Sequence, residues 1–93
     1  MDAQDFESVW DALEDTAAQA ANMRARSALM IALRGRVEAW GVAQAEAARR
    51  LGLTQPRLND LLRGRVEKFS LDALVNLAVP AGLSVRIEID AAA

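Results

Sequence analysis

A chain of 93 residues has room for one compact domain with a modest core, not for two. It contains no Cys and no His, which excludes a disulfide framework, a thiolate metal site, the commonest general base and the commonest neutral metal ligand. Its net charge of −2 argues against nucleic acid only until it is read locally: residues 1–15 carry −6, residues 24–68 carry +6 and residues 69–93 carry −2. Phosphates meet a local surface and not a net charge, so the basic centre is the informative quantity. The plainer alternative is a solvated helical surface with ordinary ion pairs. No apolar run approaches the roughly 20 residues that span a bilayer. The acidic N-terminus is unlike the basic start of a signal peptide. The expectation is a cytoplasmic protein with no membrane association.

In chain order, Phe6, Val9, Trp10 and Leu13 fall at i, i+3, i+4 and i+7 and predict a short acidic amphipathic helix over 5–14. Residues 1–15 are taken as this element and 16–93 as a single domain. Residues 17–40 predict a longer helix, with a break near Asn22 or Gly35, in which Leu29, Met30, Leu33, Val37 and Trp40 keep helical spacing up to Gly41. Gln44 to Leu51 predicts a third helix with Ala45, Ala47, Ala48 and Leu51 as its small or apolar positions. Gly52 permits a sharp turn, Thr54 is a good N-cap, and Pro56 suits a first helical turn. Leu58, Leu61 and Leu62 form the buried stripe of the helix that follows, which Gly64 ends. Ser70 predicts another cap, ahead of a helix from Leu71 to Ala81 with Leu71, Leu74, Val75 and Ala78 inward and Pro80 and Gly82 at its close.

The final element changes period. Leu83, Val85, Ile87 and Ile89 alternate with Ser84, Arg86, Glu88 and Asp90, predicting a strand over 83–89 with one buried face. A lone strand leaves its backbone N–H and C=O groups unpaired, and the same strand of a second copy would pair them. A homodimer with an intermolecular two-stranded sheet is expected; the alternative is an extended tail on the helices.

The segment 44–65 meets the needs of a helix-turn-helix: two short helices, a small residue (Ala48) at their crossing and a glycine (Gly52) in the turn. The second helix shows Gln55, Arg57, Asn59 and Asp60 while its leucines hold it to the core. Gln and Asn can bond adenine in a bidentate manner, Arg can do so with guanine, and flanking arginines can neutralise phosphates. Arg49 and Arg50 offer one phosphate contact and one surface residue; Arg34 and Arg36 are expected to be solvated or paired with Glu38. Trp40 and Phe69 are expected in the core.

Gln44-Ala45-Glu46-Ala47-Ala48, then Leu51-Gly52-Leu53-Thr54-Gln55 and Leu61-Leu62-Arg63-Gly64, resemble the Xre/Cro type of helix-turn-helix repressors over roughly Leu29 to Leu83. The resemblance implies a mainly α, lambda-repressor-like domain of about five helices, here with one C-terminal β-strand paired across a dimer. It implies that Gln44 bonds a phosphate, that Gln55 and the next exposed positions face the major groove, and that Arg63 and Arg65 meet the DNA backbone. With Thr54, Arg57, Asn59 and Asp60 these make up the candidate DNA-binding set. Pro56 departs from the pattern, since that position often reads a base, and readout is expected to shift to Gln55, Arg57 and Asp60 or Asn59. The run 54–64 together with Phe69-Ser70-Leu71-Asp72-Ala73-Leu74, and the stretch Gly82 to Ile89, resemble the HigA-like antitoxins of type II toxin–antitoxin pairs. That resemblance implies an autoregulatory repressor of a palindromic operator that also binds and neutralises a ribonuclease toxin. The apolar stripe Phe6, Val9, Trp10 and Leu13 of this acidic helix is a candidate surface for a small basic toxin, or else packs on the protein's own helices.

Two alternatives stay open: a stand-alone Xre-family regulator with no toxin, and an interaction module that has lost DNA binding. An enzyme is not expected. The carboxylates are scattered, Ser8, Ser27, Ser70 and Ser84 have no His to activate them, and no Gly-rich phosphate loop is present. No metal and no cofactor are expected.

Overall fold

The computed structural model describes residues 3–92, with side chains described from Thr16 onward. Four α-helices follow one another: α1 Ala3–Trp40, α2 Gln44–Leu51, α3 Gln55–Leu62 and α4 Leu71–Ala78, with a 3-10 turn at Val66–Lys68 between the last two. The 38 residues of α1 account for the long dimension of the molecule, 58 Å, since a helix rises about 1.5 Å per residue.

The two expected N-terminal helices are one. Asn22 does not break α1 because its carbonyl oxygen Oδ1 accepts from Arg26 Nε one turn later at 2.6 Å, so the side chain does not compete with the backbone ladder. Gly35 is tolerated inside the same helix at a cost of about 1 kcal/mol relative to Ala. Among the described residues there are thus four α-helices and not about five. Residues 16–25 of α1 are exposed, and its packing on the rest of the chain begins at Arg26. Phe6, Val9, Trp10 and Leu13 lie outside the residues whose side chains are described.

From Met30 onward α1 forms the spine of the core. Met30, Leu33 and Val37 are buried against Ala47, Ala48 and Leu51 of α2, Leu58 and Leu61 of α3, Phe69, and Leu74 and Leu77 of α4. Among the described residues Phe69 is the largest side chain fully enclosed. Trp40 is only half-buried, with Arg50 stacked 5.1 Å from its ring centre. Leu62, Leu71 and Val75, expected inside, are half-buried at the rim. Helix α4 ends at Ala78, three residues before the expected Ala81, although the Ala81 N–H still donates to the Leu77 carbonyl. No described helix is long and apolar enough to cross a membrane.

The C-terminal segment departs most from its pattern. Among the described residues there is no strand, and residues 83–92 carry no regular structure. Leu83 packs against the core and its N–H donates to the Ala78 carbonyl, but Ile87 and Ile89 are 77% and 87% exposed. A strand needs a ladder partner, and a single copy of this chain supplies none. Together with Ala28, Leu29, Leu71 and Val75 the segment bounds an open apolar groove of about 550 Å³.

Candidate nucleic-acid interface

The α2–turn–α3 unit is specified locally. Helix α2 ends on Gly52 at φ +69, a conformation that L side chains rarely adopt. The Leu53 N–H reaches back to the Ala48 carbonyl at 2.9 Å, closing a 6→1 cap. Buried Ala47 and Ala48 let the two helices approach. Helix α3 then starts as expected: Thr54 Oγ1 accepts from the Arg57 N–H, and Pro56 sits in the first turn, where its missing N–H leaves no helix bond unmade. Its other end repeats the device, with Gly64 at φ +72 and the Arg65 N–H donating to the Asp60 carbonyl.

Gln55, Asn59 and Arg63 follow one another at i, i+4 and i+8 along one edge of α3 and its C-cap, while Leu58 and Leu61 face the core. Gln55 and Arg63 are exposed and Asn59 is half-buried. Gln44, also exposed, opens α2, whose N-cap Ala43 offers no side-chain acceptor. The first N–H groups of α2 therefore point outward uncapped beside Gln44, the polarity that favours an anion.

Arg57 and Asp60 stand on the flank of α3 that faces the 3-10 turn. Arg57 Nη1 donates to the Lys68 carbonyl at 2.6 Å, and its guanidinium lies 3.9 Å from the Phe69 ring centre. Asp60 accepts from Arg65 Nη1 at 3.0 Å and has Lys68 Nζ at 3.8 Å. Three of the expected DNA-contacting groups, Arg57, Asp60 and Arg65, are thereby engaged by the chain itself. Gln55, Asn59 and Arg63 lie along α3 and its C-cap, the loop cations Arg65 and Lys68 gather on Asp60 at its flank, and Gln44 and Thr54 mark the starts of the two helices. Lys68 was not legible as a site residue. Its only sequence signal is its place in the +6 stretch.

Arginines of α1 reach across to the later turns, and Arg34 and Arg36 were expected to be solvated or paired with Glu38. Arg26 Nη1 donates to the carbonyls of Val66 and Phe69 at 3.1 and 3.3 Å. Arg36 Nε donates to the Ala81 carbonyl at 2.9 Å, and neither Arg34 nor Arg36 pairs with Glu38. Arg34 Nη1 lies 3.3 Å from where a Cβ on Gly64 would sit, a distance that a small shift of the guanidinium relieves, so the positive φ is what calls for glycine. On α2, Glu46 holds both neighbouring cations: Arg49 by a two-point contact at 2.6 and 2.8 Å, and Arg50 at 3.1 Å. The hydrogen bond from Arg49, then that from Arg50, lowers the Glu46 carboxyl to about 2, and Glu46 in turn raises Arg49.

A helix-turn-helix domain family matches residues 12–90, most of the chain. A solved structure described as "Putative XRE Family Transcriptional Regulator" is 30% identical, covers 80% of this chain and 83% of its own, and superposes with a TM-score of 0.72. Among curated proteins none matches. The α2–Gly52–α3 geometry and the extent of the family match agree: the chain belongs to the helix-turn-helix domain family.

Proposed function

We propose that this protein is a sequence-specific DNA-binding transcription regulator that acts as a repressor. The observation that carries the reading is the polar edge of α3 and its C-cap, with Gln55 and Arg63 exposed and Asn59 half-buried, next to a turn that carries Arg65 and Lys68. In this reading α3 enters the major groove. Gln55 and Asn59 bond base edges, and Arg63 and Arg65 meet phosphates on one side of the groove while Gln44, Thr54 and the open N–H groups of α2 meet them on the other. The likeness to an XRE-family regulator supports it. The test is titration of the protein on promoter fragments from its own locus at several salt concentrations. Preference for one fragment, with affinity falling steeply as salt rises, is the expected result; equal binding to all fragments overturns it.

The repressor acts as a two-fold dimer in this reading. Leu83, Val85, Ile87 and Ile89 alternate with polar residues, and the exposure of Ile87 and Ile89 together with the open groove beside them supports strand pairing with a second copy. Two copies would present their α3 helices about 34 Å apart, one turn of B-DNA, and so read a palindromic operator. The antitoxin role rests on the sequence resemblance in 54–64, 69–74 and 82–89. Co-purification of a small basic ribonuclease-like partner from the native host supports it, and recovery of the protein and its DNA alone leaves the stand-alone regulator.

A further inference from the structure

We propose that Arg57 does not read a base but is a positioning residue. It latches the DNA-entering helix to the turn that follows, so that base readout by Gln55 and Asn59 and phosphate contact by Arg65 and Lys68 occur in one fixed register. This inference rests on the DNA-binding reading above and adds a division of labour within it.

The geometry separates the polar residues of α3 into two sets. Gln55 and Asn59 make no side-chain hydrogen bond or ion pair among the described residues, and Gln55 is exposed. Arg57 and Asp60 point along the body, toward segment 64–69. That segment is gripped from both sides. From α3, Arg57 spans the Lys68 carbonyl and the Phe69 ring, and Asp60 takes Arg65 and Lys68. From α1, Arg26 takes the Val66 and Phe69 carbonyls, and Arg34 lies over Gly64. The ring under Arg57 is itself 1% exposed and fixed in the core, so the guanidinium is seated on an immobile surface. A guanidinium donating to a carbonyl and stacked on a buried ring gives up both contacts to reach a guanine, whereas Gln55 gives up none. The Arg57 N–H also bonds the Thr54 cap, so the same residue joins the start of the helix to the turn after its end.

The turn so held carries the cations of this edge. A loop that is already ordered loses little conformational freedom on meeting the phosphate backbone, and its charges arrive at the correct height relative to the base-reading stripe. Removing the latch therefore loosens the turn and costs affinity for every sequence alike, while removing a base reader costs discrimination at one position.

The experiment compares R57A, R57K and N59A on a panel of every single base-pair change in the operator. The first readout needs no DNA. In R57A the Lys68 and Phe69 amides, which bond the Arg65 and Val66 carbonyls, exchange about tenfold faster with solvent while core amides keep their protection. Lysine retains a charge that can reach the carbonyl, so R57K restores much of that protection. The second readout is the panel. R57A weakens binding to all members by one common factor of about tenfold and lowers the salt slope by about 1, since the loop cations are no longer presented together. N59A instead flattens preference at one base pair. Unchanged amide exchange in R57A, or a loss of preference confined to one base pair, overturns the latch. A wild-type protein with no sequence preference overturns the DNA reading, and the exchange result still decides whether the latch exists.

Discussion

The body from Arg26 to Leu83 and the tail from Ser84 to Ala92 are built from similar apolar residues but have opposite fates. In the body, Met30, Leu33, Leu58, Leu61 and Leu74 are almost wholly enclosed, and three 6→1 bonds, at Leu53, Arg65 and Leu83, end α2, α3 and α4. In the tail, Val85, Ile87 and Ile89 grow steadily more exposed, at 38%, 77% and 87%. Patterning decides what can be buried. Whether it is buried depends on a second surface, which the body finds within its own chain and the tail does not.

The largest expected effect breaks the body. Phe69 joins the core to the turn and carries the Arg57 guanidinium on its face. Phe69→Ala removes a fully enclosed ring and is expected to cost about 3–5 kcal/mol, measured by denaturant unfolding. In a domain of this size that approaches the whole stability. A loss below about 1 kcal/mol would mean that the ring contributes little, and the body would no longer differ from the tail in kind.

Next in size is the tail. Deleting 85–93 keeps Leu83 and its bond to Ala78, and so keeps the last cap of the body. The truncated chain is expected to melt cooperatively but to sediment as a monomer, and to bind a palindromic operator at least about a hundredfold more weakly because two half-sites no longer act together. A dimer that survives the cut ends the strand-pairing proposal.

Much of the body was legible because its signals are local. Gly52, Thr54, Pro56 and Ser70 each act within one turn of the chain, and each does what its chemistry implies. What was missed is long-range. Arg26 and Arg36 bond carbonyls 40, 43 and 45 residues away, and no spacing rule connects them. The break near Asn22 or Gly35 was misplaced because weak local preferences yielded to a continuous ladder. In the candidate site, the motif identified α3 and its polar residues but could not sort them. Arg57 and Asp60 are set apart from Gln55 and Asn59 only by the turn that folds against one flank of the helix.

The smallest effect asks whether surface pairing belongs to the body's stability at all. The hydrogen bonds from Arg49 and Arg50 lower Glu46 from 4.5 to about 2 in the folded chain. The sign follows from that direction. The folded state holds the proton less tightly than the unfolded one, so the contribution is present above the ordinary carboxylate value and is lost as pH falls from about 4.5 toward 2. Arg49 is exposed and Glu46 half-exposed, so water and salt screen the cluster. Glu46→Gln is therefore expected to remove a small part of the acid-induced drop in melting temperature at low salt and to change nothing at about 1 M salt. The same substitution frees Arg49 and Arg50 from their shared acceptor, which should raise non-specific affinity for DNA at low salt. If E46Q instead lowers stability as much at high salt as at low, the cluster is part of the body and not a screened pair upon it.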